Sequence, residues 1–407
     1  MISLIGKEMR MTLRSLVFYI FIIVACFFYF TSYATSETWG ELGPPAAGTP
    51  QNMGTAEHPM YGWKQPGNAF ELAKRMRTEI GWDLNSGTTT KYKIGFLVEN
   101  KLDGEEKGVL SDAIAKLDVI LQDPDKYTLD DVYKISDELN TQLGGNTMYK
   151  RGVGDFGFPI ESYDEAVKAQ KVTLDLYRDK VEAGELLPGA ARYFCDYLSL
   201  PAGIFPVFLS AFLLLRDRSS RMSELIYSRR VSPWAYVFSK FIALGVMLSL
   251  VFLVLSVVGG WKTVEILGLD GQTGEAAAIF LGYTAWWLLP TIWASVAFGM
   301  FGSMLFRLGI VPIALQVIWW FISVLPLMGS YGLYRLLIRF NSPDDYVLYK
   351  DWADEIALNR SFYLILAVAL AAGAAWLWER HRSRLDSAGA LSRKRSKKKI
   401  KTATEAA

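Results

Sequence analysis

Six uncharged, apolar runs divide this chain of 407 residues: Ser15–Ser36, Tyr197–Leu215, Phe241–Trp261, Ala276–Phe306, Leu308–Tyr334 and Ser361–Trp378. Each holds at least 18 residues, and about 20 residues of helix span the ~30 Å hydrocarbon core of a bilayer. The pattern predicts an all-α polytopic membrane protein with six transmembrane helices. The fourth run is long enough to tilt, or to break near Pro290. An apolar content of 51% agrees with a membrane protein rather than an ordinary soluble globule.

Charge predicts the orientation, because Lys and Arg accumulate in short cytoplasmic loops. Residues 1–14 carry +2, residues 37–196 carry −9, loop 216–240 carries +4 and loop 260–275 carries −2. Arg307 adds +1, loop 335–360 carries −1, and the tail from Glu379 carries +7. The signs alternate along the chain. Six spans with cytoplasmic N and C termini satisfy every one of them. The expected organisation is a cytoplasmic N-terminus and first span (1–36), an extracytoplasmic domain (37–196), five further spans (197–378) and a basic cytoplasmic tail (379–407).

The first run also loosely fits a cleaved signal peptide at Ser32-Tyr33-Ala34. Its length, its Phe content and the even number of spans favour a retained anchor. The two cysteines, Cys26 and Cys195, lie in or beside apolar runs, which indicates no disulfide framework for the external domain.

That domain reads as mostly helical, with an α+β alternative. Val109–Leu121 and Leu129–Leu143 place apolar residues at helical spacing, and Gly144-Gly145-Asn146 stops the second of these helices. Glu161–Glu185 is a third candidate. Lys91–Val98 is β-prone, and Thr35–Pro66, rich in Gly, Pro and Thr, reads as a tether.

Catalytic chemistry is sparse. The chain has two histidines, His58 and His381, no HExxH, no GxSxG, no phosphate-cradling G-x-x-x-x-G-K-[ST] loop and no metal motif. The expectation is a protein that is not an enzyme and binds no cofactor itself.

The most specific signal lies in loop Arg216–Lys240, RDRSSRMSELIYSRRVSPWAYVFSK. Met222, Leu225 and Ile226 share one helical face, with Arg221, Glu224, Arg229 and Arg230 beside them. Ser232-Pro233 then breaks the helix, and Lys240 stands at the base of the third span. This order of parts resembles the permeases of the type-2 ABC exporter family. In that family an acidic residue, apolar residues, a Ser-Pro-like turn and a basal Lys form a coupling helix that docks on a separate ATPase. The six-span layout and the large insertion between the first two spans match as well. The resemblance implies a permease that works as a homo- or heterodimer, contacts the ATPase through Arg221–Arg230, Pro233 and Lys240, and leaves ATP to that partner. Such a helix suits helix-in-groove docking, with rim charges that set orientation more than affinity.

Tryptophans 286, 287, 293, 319 and 320 lie in the fourth and fifth runs, with Trp319 and Trp320 away from the interfacial belts where tryptophan collects. They serve either helix packing or an aromatic-lined path for an amphipathic substrate. No run has an ionisable residue in its interior, which argues against proton or ion relays. The basic tail, RKRSKKKIK at Arg393–Lys401, is expected to be unstructured, with membrane lipid rather than nucleic acid beside it. A membrane sensor or scaffold whose external domain binds a partner is the rival reading.

Overall fold

The computed structural model describes all residues except 46–47, 94–95, 146, 150–155, 217–231, 270, 325–330, 341–345 and 405–407. It also leaves undescribed the side chains of 36–37, 41, 92–93, 96, 346–348, 350–351 and 383–404. The chain forms two units: Met1–Gly43 with Lys180–Ala407, and Pro44–Asp179.

The Pro44–Asp179 unit is held by helices α4 (Ala69–Ser86), α5 (Gly104–Gln122) and α6 (Leu129–Gln142). Each begins on a side-chain cap. The Asn68 carboxamide accepts the Glu71 N–H, and Asp103 with Glu106 and Thr128 with Asp131 form reciprocal capping boxes. These satisfy donors that a helix start leaves open. Leu72, Met76, Ile80, Leu110, Leu117 and Val132 are fully buried between the three helices. At the end of α6, Gly144 and Gly145 take φ of +83° and +80°, a conformation glycine adopts without a Cβ clash.

Strands β2 (Thr88–Lys93) and β3 (Phe96–Lys101) form an antiparallel hairpin, while β1 (Trp63–Lys64) pairs with β4 (Phe158–Pro159). The β-prone stretch Lys91–Val98 thus contributes to two strands, the end of β2 and the start of β3. The third predicted helix is α7 (Tyr163–Glu182). Helix α3 (Ser36–Leu42) occupies the start of the expected tether, capped by the Thr35 hydroxyl.

The other unit is a helical bundle. It comprises α1 (Ile2–Leu13), α2 (Leu16–Phe28) with a π-helical turn at Tyr29–Tyr33, α8 (Leu186–Ser210) and α9 (Pro233–Leu267). It continues with α10 (Thr273–Tyr283), a second π-helical turn at Thr284–Leu288, α11 (Leu289–Phe306), α12 (Ile310–Val324) and α13 (Tyr346–Thr404). Among the described residues four helices are long and apolar enough to cross a membrane: Leu16–Tyr33, Pro233–Leu267, Thr273–Phe306 and Trp352–Arg382.

Contacts fix how these helices run. At one end Glu8 meets Lys240, Tyr236 meets Trp378, and Arg307 meets His381. At the other, the Tyr33 hydroxyl bonds Thr263 and its ring packs on Phe194, which packs on Phe280. Helices α2, α8, α9 and α10–α11 therefore alternate in direction, and α13 runs the same way as α10–α11, with α12 between them in sequence.

Three expectations need correction. The fifth run, Leu308–Tyr334, is not one helix. Helix α12 is described over the 15 residues Ile310–Val324, about 22 Å at 1.5 Å per residue, and Tyr331–Tyr334 within the same run is non-helical. Beyond the undescribed stretch, Tyr331–Phe340 is non-helical, with Tyr331, Leu336, Leu337, Ile338 and Phe340 buried in the bundle and Leu333 and Tyr334 exposed. Second, the bundle interior holds charge: Arg192 and Asp196 on α8, Lys240 on α9 and Arg360 on α13 are buried. The helices extend past the uncharged runs that were used to bound them. Third, the backbone after Trp378 continues as helix to Thr404, in a stretch rich in Ala, Leu, Arg and Lys, all strong helix formers.

The fourth run is a continuous helix whose π-helical turn falls directly before Pro290, which sits in the first turn of α11. The extra residue of such a turn is an irregularity within an unbroken helix, so the run does not break there.

Candidate functional site

Two sites stand at opposite ends of the bundle. At the first, Ser232 has extended backbone and Pro233 opens α9. A proline at the first helical position lacks only an N–H that would be unbonded anyway, so the Ser-Pro turn is a helix entry. Two turns further on, Lys240 is 2% exposed. Its ammonium lies 2.9 Å from the Glu8 carboxylate of α1 and 5.1 Å from the centre of the Tyr236 ring. Lys240 is therefore an internal anchor between α1 and α9, not a surface group. Nothing in the sequence linked Glu8 to it, since 232 residues separate the pair (240 less 8). Arg221, Met222, Glu224, Leu225, Ile226, Arg229 and Arg230 lie outside the described residues.

At the opposite end, the non-helical Tyr331–Phe340 segment is held by side chains. A buried backbone group without a partner costs as much as a lost hydrogen bond, and irregular backbone at membrane depth is tolerated only inside protein. Here α13 supplies much of the solution. The Asn359 amide donates to the carbonyls of Tyr331 (3.4 Å), Gly332 (2.9 Å) and Arg335 (3.0 Å). The Arg360 guanidinium donates to the Leu336 carbonyl (3.1 Å), the Trp287 carbonyl (2.8 Å), the Thr291 hydroxyl (2.8 Å) and Asn359 Oδ1 (2.6 Å). The Trp287 carbonyl belongs to the π-helical turn before α11, so Arg360 ties that irregularity to the segment.

Further side chains, Tyr363 of α13 among them, complete the cage. Trp287 donates to the Ile338 carbonyl, Thr291 to Leu336, Trp319 to Tyr334 and Tyr363 to Leu333. Ser323 accepts the Leu336 N–H at 3.0 Å. The Asp196 carboxylate accepts the Phe340 N–H at 2.9 Å. Arg192 stands 4.0 Å from Asp196 and 4.7 Å from the centre of the Phe340 ring. The buried charges thus cap backbone and face one another. Their geometry is that of a structural hub, not of a chain of carboxylates passing protons.

The predicted tryptophans divide accordingly. Trp287 and Trp319 belong to the hub. Trp320 donates to the Leu200 carbonyl of α8 at 3.0 Å, and Trp293 donates to Ser249 at 3.1 Å while packing on Gly245. Only Trp286 of the five is exposed. A further polar node was not foreseen: Gln316 on α12 donates to the Gly203 carbonyl (2.6 Å) and to Ser295 (3.1 Å), joining α12, α8 and α11. Among the described residues no group of three or more His, Cys, Asp or Glu is placed to hold a metal.

Sequence signals for the hub were present but faint. Asp196 and Arg360 each stand one residue outside an uncharged run, so the charge criterion that drew the runs also excluded them.

Comparison with known proteins adds one match. Residues 92–374, more than half of the chain, match the family model described as ABC-2 family transporter protein. No curated protein and no solved structure matches the chain.

Proposed function

Because the chain belongs to the ABC-2 family of transporter proteins, we propose that it is the permease subunit of an ATP-driven exporter in the plasma membrane. ATP is bound and hydrolysed by a separately encoded ATPase, and two permease copies, identical or related, form the path. The observation that carries the coupling assignment is the Lys240–Glu8 lock directly after the Ser232-Pro233 helix entry. A loop transmits force only if both of its ends are fixed. Loop 216–240 enters from α8 and leaves into α9, whose first turns are clamped to α1.

In this reading Arg221, Met222, Glu224, Leu225, Ile226, Arg229 and Arg230 meet the ATPase, Pro233 sets the exit angle, and Lys240 transmits from behind the contact. The alternating helix directions support six crossings with both termini in the cytoplasm. Helix α8, 25 residues long, is then the second crossing, and α12 with the Tyr331–Phe340 segment forms the fifth. The burial of Tyr33 among Trp39, Tyr193 and Phe194 supports a retained first helix over a cleaved leader. The Pro44–Asp179 unit is the extracytoplasmic domain, and exposed Trp286 is the candidate wall of a substrate path.

Replacing Glu224 with Lys tests the assignment. The variant is expected to insert at wild-type abundance and to lose ATP-driven transport. Coupled activity unchanged in that variant contradicts the reading.

A further inference from the structure

Helix α1 is tied directly to a membrane span. It ends at Leu13, Ser15 takes extended backbone, and Leu16 opens the apolar Leu16–Tyr33 helix. The extended residue lets α1 leave the axis of the helix that follows. With 12 residues α1 is too short to cross a bilayer, which takes about 20. Its tether to Leu16 therefore keeps it at the membrane surface.

The sides of α1 differ in kind. Leu4, Ile5, Glu8, Met9 and Thr12 are partly buried and form the side turned to the bundle. Met9 packs on the bundle core, and Glu8 holds Lys240 of α9. Lys7, Arg10 and Arg14 follow one another at helical spacing and form a single stripe. At about 100° per residue that stripe lies opposite the packed side, and all three residues are exposed. Among the described residues no carboxylate pairs with any of them. Ile2 and Leu13, about three turns apart, are exposed along one border between the stripe and the packed side, and Met11 is exposed on the other.

An apolar border beside a cationic stripe is the pattern of a helix lying in the membrane interface, with apolar residues at the acyl boundary and Lys and Arg among the headgroups. Basic residues at that depth attract anionic lipid, and the attraction fades within a Debye length, about 8 Å at physiological ionic strength. A stripe tethered to Leu16 stays within such reach of the headgroups.

We propose that α1 is an anionic-phospholipid site on the inner face of the membrane. Lys7, Arg10 and Arg14 hold the headgroups, while Ile2 and Leu13 enter the acyl boundary. Long, flexible cationic side chains in a row select for negative charge rather than for the shape of one headgroup. This goes beyond the proposed function and rests on it only for the cytoplasmic N-terminus. Headgroups then hold one side of α1 while Glu8 holds Lys240 from the other, so bound lipid steadies the helix that braces α9.

Photolabelling the full-length protein in vesicles of equal parts phosphatidylcholine and phosphatidylglycerol tests this. One lipid or the other carries a diazirine beside its headgroup, and peptide mass spectrometry locates the label. Residues 1–15 are expected to take several-fold more label from phosphatidylglycerol than from phosphatidylcholine. Lys7→Gln, Arg10→Gln and Arg14→Gln together are expected to abolish most of that excess, and Arg10→Lys with Arg14→Lys to keep it. Both variants are expected to unfold at the wild-type temperature, because the altered side chains are exposed. Loop 216–240 and the tail from Glu379 keep their +4 and +7 charges, so the orientation is expected to hold. Equal labelling of residues 1–15 by the two probes, no label there from either, or an excess that survives the three glutamines overturns the lipid site.

A Ser3→Cys protein, treated with a membrane-impermeant maleimide, separates that failure from a failure of the topology. Protection in intact cells, with reaction only after permeabilisation, is expected. Protection without a phosphatidylglycerol excess overturns the lipid site and leaves the proposed topology standing. Reaction in intact cells overturns that topology and the inner-face site with it.

Discussion

Single side chains carry much of this architecture, and Arg360 carries most. Its guanidinium serves four acceptors, one backbone carbonyl in each of two irregular segments and the side chains of Thr291 and Asn359, a geometry that a planar fork of five donors suits and a lysine ammonium does not. Arg360→Lys is expected to lower the thermal unfolding temperature of the detergent-solubilised protein, since each stranded buried acceptor costs about 1–3 kcal/mol. Wild-type stability in that variant contradicts the hub. At the other end, Lys240→Ala strands Glu8. The expected loss is about 2–4 kcal/mol, near the value for breaking a buried pair, and the exchanged pair Glu8→Lys with Lys240→Glu is expected to recover part of it.

In the Pro44–Asp179 unit, hydrogen bonds from the Thr128 N–H and hydroxyl, together with Lys134, hold the Asp131 carboxyl down to about 2. A folded-state value below the ordinary ~3.9 means that its stabilisation is complete above about pH 4 and is lost as pH falls toward 2. Hydrogen exchange of the α6 amides is expected to accelerate over that window, and Asp131→Asn is expected to flatten the response.

At the scale of elements, hydropathy located helices and missed how they are interrupted. The first, third, fourth and sixth runs lie within or largely over helices long enough to cross a bilayer, because burial in lipid demands apolar length. Leu308–Tyr334 reads the same way, yet Tyr331–Tyr334 within it is non-helical. A hydropathy window registers solvent preference and is blind to whether backbone bonds close within a helix or onto neighbouring side chains. The donors that make the broken form possible, Asn359, Arg360, Trp287 and Tyr363, are distant in sequence. Pairings such as Glu8–Lys240 were illegible for the same reason, whereas the caps of α5 and α6 are local and were open to direct reading.

Close helix contacts are likewise hidden in small residues. At Gly299 of α11 a Cβ would lie 2.0 Å from the Ser210 hydroxyl and 3.2 Å from the Ala211 nitrogen of the α8 terminus. Small residues let membrane helices approach closely. Gly299→Ala is therefore expected to cost about 1–3 kcal/mol as an overpacked contact, read as a lower unfolding temperature, with a larger loss for Gly299→Leu. An unchanged unfolding temperature contradicts the close approach of α8 and α11.

For the whole molecule, the helix directions, the end-to-end separation of the Lys240 lock from the polar hub, and the family match fit the proposed reading of a subunit driven from elsewhere. Buried charge first suggests an ion pathway, but these groups cap backbone and pair with one another, so the bundle offers no chain of titrating carboxylates to do work. In the proposed function the energy comes from a partner that binds ATP and meets loop 216–240. The measurement that tests this most directly is affinity purification of the tagged chain from its native membranes, with and without residues 221–228. The account predicts an ABC ATPase recovered in equal amount with the intact chain, and its loss from a deletion variant that still inserts and still keeps its unfolding temperature. Purification without an ATPase, or undiminished recovery from the deletion variant, contradicts it.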